Sequence, residues 1–103
     1  MDNNQFEMIF CIVNAGFSGE VMDAAREGGA TGGTIIHARG TANVEAEAEF
    51  KITVNPEKDL VMIVVNKQVK DNVLMAIYDN AGLNTDGHGV AFSMPVTNVV
   101  GIK

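Results

Sequence analysis

Few side chains in this sequence could do covalent, acid–base or metal chemistry. Cys11 lies in the apolar run Met8-Ile9-Phe10-Cys11-Ile12-Val13 with no histidine or other base beside it, so it reads as an inert core thiol rather than an activated nucleophile. His37 and His88 are the only histidines. No HxH, CxxC or HExxH spacing surrounds them, so a metal site would need ligands gathered across the fold or across a subunit interface. Glu45, Glu47 and Glu49 alternate with alanines; they could offer a carboxylate ladder to a cation, but read first as a solvated loop face. No nucleophile stands with a base, and a non-catalytic protein is expected. Glycine is the remaining signal. The chain has eleven, and Gly32-Gly33, Gly40 and the Gly87-His88-Gly89 stretch flank apolar segments. There they let backbone approach a ligand closely and turn N–H groups toward an anion.

The elements that must position these groups follow from periodicity. Phe6–Val13 is apolar and rich in β-formers, and reads as a central strand buried on both faces. A helix follows, with Ser18 as N-cap, Glu20 in its first turn and Val21, Met22, Ala24 and Ala25 as its apolar face, ended by Gly28-Gly29. Thr34–Arg39 is a second strand. Thr41–Glu49 reads as a solvated excursion, Phe50–Val54 as its half-buried returning arm, Asn55-Pro56-Glu57-Lys58 as a turn, and Leu60–Val65 as a third strand of buried character. Val69, Val73, Ile77 and Ala81 repeat every four residues and predict a second helix, closed by Gly82. A polar loop then leads to a fourth strand, Val90–Met94, and a partly apolar tail. Strand, helix, strand, strand, helix, strand is the ferredoxin-like βαββαβ pattern of the α+β class: an antiparallel four-stranded sheet with two helices on one face. In that order Cys11 and His37 are not neighbours within one subunit.

A chain of 103 residues has room for one core, and residues 1–103 are expected to form a single domain. At this size about 60–65% of the unfolded surface is buried, and oligomerisation commonly supplements stability. Seven Lys and Arg against thirteen Asp and Glu leave a net charge of −6, which repels nucleic acid and anionic lipid. The strands also carry aliphatic residues where an RNA-binding sheet places stacking aromatics. No signal-peptide pattern and no apolar run of membrane-spanning length occurs. With one cysteine, no disulfide forms within a chain, and a cytoplasmic location without membrane insertion is expected.

Two segments together resemble a known family. Gly29-Ala30-Thr31-Gly32-Gly33-Thr34 followed by Gly40 resembles the G-x-T-G-x-T…G stretch of the PII (nitrogen-regulatory) signal-transduction proteins. The C-terminal run Gly87-His88-Gly89-Val90-Ala91-Phe92-Ser93-Met94-Pro95-Val96 through Lys103 is similar to that family's G-D-G-K-I-F-V-x-P-V…V-x-R-I-R signature. The resemblance spans almost the whole chain. It implies a cytoplasmic homotrimer that requires no cofactor and binds a small effector, an adenine nucleotide in many members, in clefts between subunits. A loop between the second and third strands, the T-loop, would regulate a protein partner such as a membrane transporter. Here that loop would span residues 41–57, shorter than is usual. Matched residue by residue, Thr34, Gly40, Val64, Gly87 and Gly89 fall on the base and ribose side of the cleft, with His88 between the last two. Lys58 matches a basic position at the loop base, and Arg39 and Lys103 remain as cations toward the phosphates. Ala42, Asn43, Val90 and Gly101 stand where the family carries a glycine and basic residues, so fewer charge-assisted contacts face a triphosphate. The tyrosine that some members modify in the loop is absent; Tyr78 is on the second helix. An alternative from the same architecture is a metal-binding trimer resembling divalent-cation-tolerance proteins, with His37, His88 or the loop glutamates as ligands.

Overall fold

The computed structural model describes residues 5–41, 56–84 and 89–101. Within them the elements are β1 (Phe6–Asn14), α1 (Ser18–Glu27), β2 (Thr34–Arg39), β3 (Glu57–Asn66), α2 (Lys70–Asn80) and β4 (Gly89–Val96). The four strands form one antiparallel sheet in the order β2-β3-β1-β4. This is the ferredoxin-like arrangement that the element order implies. The returning arm Phe50–Val54 and most of the 41–57 loop lie outside the described residues.

Alternation along the central strands sets the layers. On β1 the residues Glu7, Ile9, Cys11 and Val13 are buried while Phe6, Met8, Phe10 and Ile12 are half-buried. On β3 the same holds for Asp59, Val61, Ile63 and Val65 against Leu60, Met62 and Val64. The buried row packs under Val21, Met22, Ala24 and Ala25 of α1 and Val73 and Ile77 of α2, forming one core on one side of the sheet. The expectation that β1 is buried on both faces is therefore corrected: only one face is closed. The misreading arises because both faces of β1 are apolar, which removes the period-two contrast between core and solvent sides.

Further boundaries differ from expectation, and β4 runs two residues past Met94, to Val96. Glu57 and Lys58 belong to β3 rather than to a turn, because ladder pairing with Arg39 and Ala38 continues past Asp59. Phe17, not Ser18, occupies the N-cap of α1, with no side-chain cap bond; the Ser18 hydroxyl bonds the Asp59 carboxylate instead. The second helix ends within one residue of its predicted limits, and Gly82 follows at φ 82.

The helices meet where α1 stops. A Cβ on Gly28 would lie 2.7 Å from the Cα of Val73 and 2.8 Å from the Asn72 carbonyl oxygen, so the crossing requires glycine there. Gly28 has φ −80, and substitution adds only the clash. Gly28→Ala is expected to lower the unfolding free energy by about 1–3 kcal/mol in urea titration. An unchanged midpoint would mean that the two helices separate freely at this point.

Candidate functional site

The side of the sheet away from the helices carries Thr34, Ile36 and Ala38 from β2, Lys58, Leu60, Met62 and Val64 from β3, Met8, Phe10, Ile12 and Asn14 from β1, and Val90, Phe92 and Met94 from β4, in register across the strands. No described element covers it. Phe10 and Phe92 stack on this face with ring centroids 5.4 Å apart. Monomeric proteins rarely leave so continuous an apolar surface open to water.

The candidate effector residues divide cleanly on this frame. Thr34, Lys58 and Val64 share the open face on β2 and β3. The Lys58 ammonium donates to Asn14 Oδ1 at 2.6 Å. Gly40 closes the neck of the loop, its N–H donating to the Pro56 carbonyl at 2.7 Å. Val64 also lines a shallow cavity of about 210 Å³ with Phe6, Ala30, Thr31, Asn66 and Val69, which contains no charged side chain. Arg39 is on the opposite face, bonded to Glu57 Oε1 at 3.0 Å in an exposed pair. Gly89 begins β4, at the far edge from β2. Its φ is 149, and a Cβ there would lie 2.5 Å from the Ile12 carbonyl oxygen, so only glycine lets β4 dock against β1. Gly87, His88 and Lys103 lie outside the described residues. Within one chain, then, β3 and β1 separate Gly89 from Thr34.

A buried carboxylate stands beside the loop neck. Asp59 is 2% exposed. Its Oδ1 lies 2.8 Å from His37 Nδ1, its Oδ2 accepts the Gly16 N–H at 3.2 Å, and the Ser18 hydroxyl also bonds it. The His37 hydrogen bond, reinforced by those from Gly16 and Ser18, holds the carboxyl below its ordinary value against the opposing effect of burial. With Nδ1 engaged, the imidazole, 89% exposed, presents Nε2 to solvent. By contrast, burial pushes the Cys11 thiol up to about 11, so it stays protonated and unreactive.

The nitrogen regulatory protein P-II family model matches residues 6–103. The chain belongs to the P-II family. Among solved structures, PII of Arabidopsis thaliana, crystallised bound to citrate, is 25% identical, with a TM-score of 0.69 over 96% of this chain and 84% of the plant chain. A PII-like signaling protein of Thermus thermophilus superposes with a TM-score of 0.70 at 16% identity, over 96% of this chain and 94% of the bacterial one. No curated protein matches the sequence significantly. P-II proteins are signalling regulators that bind small effectors, and that general class extends to this chain.

Two residues of this P-II chain escaped sequence reasoning. Asn14, the partner of Lys58, is remote from it in sequence, and no pattern announces the pair. Asp59 carries a usable signal: it continues the buried parity of Val61, Ile63 and Val65, so a strand reading extended by one residue would have turned an acid inward. Because its folded-state value lies below the unfolded one, near 3.9, its stabilisation is complete above that value and is lost as pH falls through the folded one. Asp59→Asn is expected to cost about 1–3 kcal/mol at pH 7, with the gap to wild type closing in acid. Urea unfolding from pH 7 to pH 2.5 checks this; a gap constant with pH would show that the charge contributes nothing.

Proposed function

We propose that this protein is a non-catalytic P-II sensor that acts as a homotrimer. It binds a small effector, an adenine nucleotide by family resemblance, in clefts between subunits, and passes the occupancy to a protein partner through the 41–57 loop. The observation that carries the reading is the open apolar face. Several of the candidate residues lie on it at the β2–β3 edge, while Gly89 stands at the β4 edge. A second copy packed on the first is what would bring the two sets together, so the cleft is complete only in the assembly. Effector binding would then favour one loop arrangement over another and change partner affinity by population shift. A membrane transporter is the expected class of partner and the cytoplasm the expected location. No helix among the described residues is long and apolar enough to cross a membrane.

The metal-binding alternative has one observation in its favour. Metal-ligating histidines commonly hold their other ring N–H on a carboxylate, and His37 does so on Asp59 with Nε2 outward. Among the described residues, however, no group of three or more His, Cys, Asp or Glu side chains gathers around it, and the sensor reading is preferred.

Light scattering on the purified protein is expected to give three times the subunit mass. Phe10→Glu, which places a charge at the centre of the open face, is expected to yield monomers with far-UV circular dichroism close to wild type. A monomeric wild-type protein at micromolar concentration would overturn the reading.

A further inference from the structure

We draw no further inference here: the strongest candidate, the apolar cavity of about 350 Å³ between α2 and β4 lined by Leu74, Met75, Tyr78, Leu83, Val90 and Ala91, is an open groove at the β4 edge of the sheet, and nothing in the structure shows what covers it.

Discussion

Everything in this molecule follows from a sheet that two helices can close on one side only. A ten-residue and an eleven-residue helix cover the row formed by Ile9, Cys11, Val13, Val61, Ile63 and Val65, and nothing is left in the described chain to cover the row formed by Phe10, Ile12, Leu60, Met62 and Phe92. Apolar burial contributes about 25 cal/mol per Å², so a second apolar face left wet forgoes a large part of the stabilisation a small domain needs. The open face is thus both the weakness of the isolated subunit and the surface on which the proposed assembly would be built. The same covering surface would bring the two strand edges that hold the candidate effector residues toward each other.

What could be read beforehand reflects how each feature is encoded. Element order, helix limits and the pairing of β1 with β3 and β4 depend on local patterns: apolar repeats every four residues in α2, glycines after α1 and α2, β-branched runs in the strands. Those were legible. The one-sidedness of β1 was not, because Met8, Phe10 and Ile12 are as apolar as Ile9, Cys11 and Val13, and pattern reports hydrophobicity rather than which partner supplies the cover. The start of β3 was hidden by Asn55-Pro56, a strong turn signal beyond which ladder pairing resumes at once. Of the candidate site, family position assigned Thr34, Lys58 and Val64 to one cleft, whereas their shared face needed the register, because Lys58 reads as part of a turn; so did the opposite orientation of Arg39, which is one residue out of phase with Ala38, and on a strand that moves a side chain to the other surface.

The neck of the loop shows how the two faces cooperate. Six residue pairs join β2 to β3, and the end nearest the loop carries three further contacts: His37 with the buried Asp59, Arg39 with the exposed Glu57, and, just beyond the strands, Gly40 with Pro56 through the backbone. They are unequal. A hydrogen bond to a buried charged carboxylate contributes about 1.5–3 kcal/mol, whereas an exposed ion pair contributes about 0–1 kcal/mol. The His37 contact therefore contributes more than the Arg39 contact nearer the loop. Asp59 also binds Gly16 and Ser18, which fixes that rung to the start of α1 and so to the core.

Lys58 stands between the strong rung and the weak one, on the other side of the same strand. Its neighbours along β3 are Glu57, whose carboxylate faces Arg39, and Asp59, whose carboxylate faces His37. The Lys58 side chain leaves the backbone of β3 between a rung made by a buried carboxylate and one made by an exposed ion pair. Asp59 is held from three directions, by His37, Gly16 and Ser18, whereas Glu57 faces the exposed Arg39. Strand alternation separates the two side chains: it turns Asp59 inward, where it ties the strand to the start of α1, and leaves Lys58 one residue away on the open face.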